Sequence, residues 1–135
     1  VLISAGAKLD TQDIYGHTAL LRAVLGNRPA IVKGLLRSGA NPNLSSNSGN
    51  TALIAASEKS DPEVVSDLLE FGALVNGRNS NSLTALMVAV TRDNEKIVSM
   101  LLAAGADPSR KSRVGKNAIA MANSHSMKAL VAAYD

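Results

Sequence analysis

Apolar residues recur along this chain in two alternating spacings. Leu20 and Ala23, Leu53 and Ala56, Leu86 and Ala89, and Ile119 and Ala122 each stand three apart, the step that keeps side chains on one face of a helix. A second set follows at i, i+1, i+4 and i+5: Ile31, Val32, Leu35, Leu36; then Val64, Val65, Leu68, Leu69; then Ile97, Val98, Leu101, Leu102. Each unit is therefore predicted to hold a helix A and a helix B. Thr18, Thr51 and Thr84 precede helix A, where a hydroxyl takes an otherwise unsatisfied N–H, a contact worth about 1 kcal/mol over alanine. Asn117 stands in the same column. Asp61-Pro62-Glu63 gives the best-capped helix B, with a carboxylate at the N-cap, proline at the first helical position and an acid near the positive end of the dipole. Gly39, Gly72 and Gly105 follow the leucine pairs, where helices commonly end in a left-handed residue. Asn41-Pro42-Asn43, Ser48-Gly49 and Asn76-Gly77 then predict projecting hairpins or loops before the next threonine.

The columns repeat every 33 residues, and the pairs Gly6-Ala7, Gly39-Ala40, Gly72-Ala73 and Gly105-Ala106 keep the same register. Self-similarity of this kind means units that bury their apolar faces by stacking on neighbours, which leaves a long surface rather than one deep pocket. The expected layout is a single domain over 1–135. It comprises a partial unit (1–12), full units at 13–45, 46–78 and 79–111, and a C-terminal capping unit (112–135). Leu2 and Ile3 fall in the helix B columns of Leu35 and Leu36, so further repeats, a domain or an oligomer contact are expected on the N-terminal stacking face. Asp135 falls in the column of Leu36, Leu69 and Leu102, where a charge opposes packing by a following unit.

Taken together, the period, threonine, leucine, alanine, apolar pairs and Gly-Ala resemble the ankyrin repeat over nearly the whole chain. The resemblance implies an all-α solenoid of stacked helix-turn-helix units with projecting hairpin loops. Some positions depart from the family pattern. Where Thr-Pro-Leu-His is usual, this chain has Thr18-Ala19-Leu20-Leu21, Thr51-Ala52-Leu53-Ile54 and Thr84-Ala85-Leu86-Met87, so the histidine's hydrogen bonds cannot form. Ser82 replaces the glycine found at 16, 49 and 115. The resemblance also implies that partners are met by hairpin tips and the outward side of helix A. Carried over position by position, the candidates are Gln12, Ile14, Tyr15, His17 and Leu25 in the first full unit. The second supplies Ser45, Asn47, Ser48, Asn50, Glu58 and Lys59; the third, Arg78, Ser80, Asn81, Leu83, Thr91 and Arg92. Lys111, Arg113, Val114, Lys116 and His125 complete the set. Ile14, Tyr15 and Leu83 are the expected apolar anchors, Tyr15 foremost.

Composition changes this picture little. The chain is 46% hydrophobic, but Tyr15, Phe71 and Tyr134 are its only aromatic residues, so the core must be aliphatic and rich in alanine. No apolar run nears the about 18 residues of a membrane span. Without cysteine there is no disulfide, thiolate nucleophile or zinc–sulfur site. The net charge of +3 is uneven, −1 over residues 1–72 and +4 over 73–135. Much of it lies in Arg110, Lys111, Arg113 and Lys116, with Arg78 and Arg92 one unit earlier. A basic strip of this kind favours an acidic protein segment. Nucleic acid is disfavoured, because no aromatic residue near the strip can stack a base. The acids Glu58, Asp61, Glu63, Asp67 and Glu70 are expected on a solvated face.

Catalytic signatures are missing. No dinucleotide glycine motif, phosphate loop or His-Glu-x-x-His occurs, and His17 and His125 lie too far apart to form a triad or metal site together. Asn43-Leu44-Ser45 fits the glycosylation pattern by chance, in a tight connection. No cofactor, metal or small-molecule substrate is expected. The leading function is a non-enzymatic module that binds another protein on its concave hairpin and helix A face. Two alternatives stand beside it: a regulatory or targeting segment of a larger protein, and electrostatic binding of nucleic acid or anionic lipid.

Overall fold

The computed structural model describes residues 9–134. Among them lie eight helices: α1 (Ala19–Leu25), α2 (Pro29–Arg37), α3 (Ala52–Lys59), α4 (Pro62–Glu70), α5 (Ala85–Thr91), α6 (Glu95–Ala103), α7 (Ala118–Met121) and α8 (His125–Ala132). They pair in sequence order, and the pairs stack in two layers. The odd helices run α1 on α3 on α5 on α7, and the even ones α2 on α4 on α6 on α8. Among the described residues there is no strand, only one isolated antiparallel bridge between Arg78 and Thr84. The expected hairpins are thus tight turns, each closed by two backbone bonds, as Asp13 N to His17 O and Gly16 N to Asp13 O in the first.

The helix starts follow from local chemistry. Thr18, Thr51 and Thr84 accept the N–H groups of Leu21, Ile54 and Met87, and Asn117 accepts that of Ala120. Asp61 takes two amides, those of Glu63 and Val64, ahead of Pro62. The core is continuous through both layers: Leu20, Leu53 and Leu86 line one, and Val32, Val65 and Val98 the other. Its volume is aliphatic throughout, so close stacking rests on Ala23, Ala56 and Ala89 at the same column.

Between helices A and B the chain turns through Asn27, Ser60 and Asp93, all left-handed, with φ of 54°, 58° and 57°. Ser82 is left-handed as well (φ 59°), at the position where Gly16, Gly49 and Gly115 have φ of 78°, 80° and 83°. A non-glycine residue there costs about 1–2 kcal/mol.

Two expectations need correction. Asp67 is not on a solvated face. It is 6% exposed, with Oδ1 3.8 Å from Lys33 Nζ and Oδ2 buried without a hydrogen bond, because packing of α4 on α2 folds its side chain inward. The period also fails in the last unit. Ser124 caps α8 at 30 positions after Asn94 caps α6, where the repeat predicts 33. As a result α7 spans four residues, Ala122 is extended (φ −69°, ψ 129°) rather than helical, and His125 begins helix B instead of sitting on helix A. The anchor is Ser124, whose Oγ accepts the Met127 N–H and donates to the Asp93 carboxylate at 3.0 Å, drawing α8 in early. The readings built on Leu2, Ile3, Gly6-Ala7 and Asp135 lie outside the described residues.

Candidate binding surface

The hairpins are built by short polar side chains that fold back on their own backbone. In the first, Asp13 Oδ1 accepts the N–H groups of Tyr15 and His17, both at 2.9 Å, and Asp13 Oδ2 pairs with the Arg22 guanidinium. Desolvation pushes the Asp13 carboxyl upward, but the His17 amide, Arg22 and the Tyr15 amide outweigh it and hold it below the ordinary value. In the third, Asn79 Oδ1 does the same for Asn81 (2.9 Å) and Leu83 (3.0 Å). The fourth has Ser112 in that column, too short to reach, and its Oγ is buried without a partner.

Neighbouring hairpins are then tied together by backbone bonds. Asn47 N donates to Tyr15 O at 2.9 Å, Ser80 N to Ser48 O at 3.1 Å, and Arg113 N to Asn81 O at 2.9 Å. The tips form one ridge rather than four independent fingers. Several expected contact residues are consumed in this framework. Gln12 Nε2 donates to the carbonyls of Gly16 and Ser45, both at 2.8 Å. Asn47 Nδ2 donates to Ile14 O at 2.8 Å, and Asn50 Oδ1 accepts from Asn79 Nδ2 at 2.9 Å.

Two shallow recesses open beside the ridge, and Leu83 is common to both. One, of about 320 Å³, is lined by Glu58, Leu83, Met87, Val88, Thr91 and Arg92. Arg92 Nη2 lies 3.3 Å from Glu58 Oε1 across its edge, an exposed pair worth only about 0–1 kcal/mol. The other, of about 250 Å³, is lined by Asn81, Leu83, Ser112, Arg113, Val114 and Met121. A third recess, of about 310 Å³, lies between α1 and α2, lined by Ala19, Arg22, Ala23, Arg28, Ile31 and Leu35. None of the three is a closed chamber.

The fold separates the candidate residues into two groups. Ile14 (82% exposed) and Tyr15 (61%) stand at the first tip, the Tyr15 ring 6.1 Å from that of half-buried His17. Leu25 ends α1, partly exposed. Two units away, Leu83 comes together with Arg92 in one recess and with Arg113 in the other. Arg78, Lys111, Arg113 and Lys116 are exposed, and none has an ion-pair partner among the described residues. Arg110 is half-buried, its Nε 3.6 Å from Asp107 Oδ2.

Sequence reasoning missed the recess floors, Met87, Val88 and Met121. Met87 reads as core because it shares a column with Leu21 and Ile54. The available signal was Val88 and Met121, apolar in one column of adjacent units where the first unit has Arg22.

The stacked helix pairs agree with an independent comparison. A family model for ankyrin repeats, in three copies, matches residues 20–112. No curated protein matches the chain. Ankyrin repeats are in general protein–protein interaction modules and typically non-enzymatic. Among the described residues no helix is long and apolar enough to cross a membrane. On the match to well over half its length and the layered helix pairs, the chain belongs to the ankyrin-repeat family.

Proposed function

We propose that the chain binds a partner protein along the hairpin ridge and the adjoining side of α1, α3 and α5, and that its basic end selects an acidic segment. The observation that carries this reading is the pair of recesses sharing Leu83, beside exposed cations without carboxylate partners. An aliphatic side chain of the partner fills a recess against Leu83, Val88 or Met121. A neighbouring carboxylate meets Arg113 or Lys116, raising the association rate and fixing the register more than it deepens affinity. Ile14 and Tyr15 form a second apolar anchor two units away, so the matching partner spans several repeats.

The test is capture from native lysate with mass spectrometry, done with the parent chain and with Arg110, Lys111, Arg113 and Lys116 reversed in charge. A protein retained by the parent and lost on reversal identifies the partner. Leu83→Ala and Tyr15→Ala should then each weaken its binding roughly tenfold, a loss of about 1.4 kcal/mol. Unchanged affinity in both variants removes this surface from the reading. A steep fall of binding with salt, with nucleic acid as the captured species, replaces it with a phosphate-binding one.

A further inference from the structure

Asn76 precedes Gly77, and nothing in the backbone asks for glycine at 77. Its φ lies outside the left-handed region, and a Cβ there would stand 3.5 Å from Leu74 O and 3.9 Å from Thr51 Cγ2, ordinary contact distances. The same column holds Thr11, Leu44 and Arg110 in the other units. Asn76, by contrast, does structural duty. Its Oδ1 accepts the Asp107 N–H at 2.8 Å, and its Nδ2 donates to Gly105 O at 3.2 Å, clasping the following unit. Asn43 makes the same clasp one unit earlier, with Leu74 N at 2.8 Å and Gly72 O at 3.1 Å, but is followed by Leu44. Asp10, the carboxylate in that column, accepts the Asn41 N–H at 2.9 Å and has no N–H to donate.

We propose that Asn76-Gly77 is a site of spontaneous covalent modification that ages the joint between the second and third full units. The Gly77 amide nitrogen, bonded in the fold to Leu74 O at 3.3 Å, loses its proton to solvent and attacks Asn76 Cγ. Nδ2 leaves as ammonia, and a five-membered imide closes between the two residues. Water opens the ring at the side-chain carbonyl to give aspartate, or at the main-chain carbonyl to give isoaspartate. The net change is exchange of an amide nitrogen for a water oxygen, with no redox step. Glycine makes the attack easy because no Cβ shields its nitrogen. The clasp restrains it, since Asn76 must leave Asp107 and Gly105 before Cγ can be reached, so conversion proceeds through local opening of the loop at 105–107. Both products lack the N–H that holds Gly105 O, and isoaspartate also lengthens the main chain. The end that carries Lys111, Arg113 and Lys116 is thereby loosened.

Asn43 is a built-in control, with the same clasp and a bulky successor. The intact protein is incubated at mildly alkaline pH, then mapped by peptide mass spectrometry and enzymatic labelling of isoaspartate. Asn76 should convert at least an order of magnitude faster than Asn43. Gly77→Ala, which the contact distances tolerate, should abolish the difference, and Leu44→Gly should confer the reaction on Asn43. Low urea, below the unfolding transition, should accelerate Asn76 in the parent. Equal rates at Asn76 and Asn43, or a rate at Asn76 indifferent to Gly77→Ala in a variant shown folded by circular dichroism, overturns the proposal.

Discussion

Gly49 and Gly115 occupy the same column with nearly the same backbone, φ 80° and 83°, yet their surroundings differ. A Cβ on Gly49 would lie 2.8 Å from Ser80 N and 3.1 Å from Asn79 C, whereas a Cβ on Gly115 would meet nothing within 4 Å. Replacing each by alanine therefore separates two effects usually measured together. At Gly115 only the dihedral matters. The left-handed penalty of about 1–2 kcal/mol is partly offset by the lower unfolded-state entropy of alanine, about 0.4–1 kcal/mol, leaving a loss near 1 kcal/mol. At Gly49 the methyl also pushes against the next hairpin and strains the Ser80 N to Ser48 O bond of 3.1 Å. That adds about 1 kcal/mol for the bond and about 1–3 kcal/mol for the overlap, for a total of roughly 3–5 kcal/mol. Urea unfolding followed by far-ultraviolet circular dichroism reads the difference. With a slope of about 1–3 kcal/mol per molar, Gly115→Ala should lower the midpoint by roughly 0.5 M and Gly49→Ala by well over twice that. Equal shifts would show that the hairpins are not packed against one another as the backbone bonds describe.

Three further outcomes follow from individual side chains. Ser112→Asn should stabilise by about 1 kcal/mol, because an amide oxygen there can accept the Val114 and Lys116 N–H groups as Asn79 does for Asn81 and Leu83; a thermal melt checks it. Asp67→Met should also stabilise, by about 1 kcal/mol, since it removes a buried carboxylate oxygen without a hydrogen bond and places in α4 the residue found at the equivalent position, Met100, in α6; a loss in urea midpoint would refute it. For pH, the Ser109 hydroxyl and amide, with Arg110, hold the Asp107 carboxyl below its ordinary range in the fold. Its contribution is thus present above the unfolded value, about pH 4, and lost as pH falls through the lower folded value. Asp107→Asn should be the less acid-sensitive chain, and melts at neutral pH and below about pH 4 that shift equally in both chains would contradict this.

The sequence by itself determined the unit and its repetition. Threonine caps, the Asp61-Pro62 start and the apolar columns act through neighbours within a turn or two, so the order of residues is enough to place seven of the helices close to where they lie. The exposure of Ile14, Tyr15, Arg78, Lys111, Arg113 and Lys116 was legible as well, because exposure at a turn follows from the turn itself, whereas Leu83, expected to face solvent, is half-buried. The last unit escaped it, since Ser124 caps α8 at 30 rather than 33 positions after Asn94, out of the period, and its hydroxyl also bonds Asp93 of the preceding unit. Burial of Asp67 depends on how α4 seats on α2, and the two recesses beside the ridge form where Leu83 meets α5 on one side and the fourth hairpin on the other. The Asn43 and Asn76 clasps likewise join residues about thirty positions apart. Local sequence sets conformation through short-range hydrogen bonds and sterics, while contacts between layers are fixed only when the stacked units settle their distances to one another.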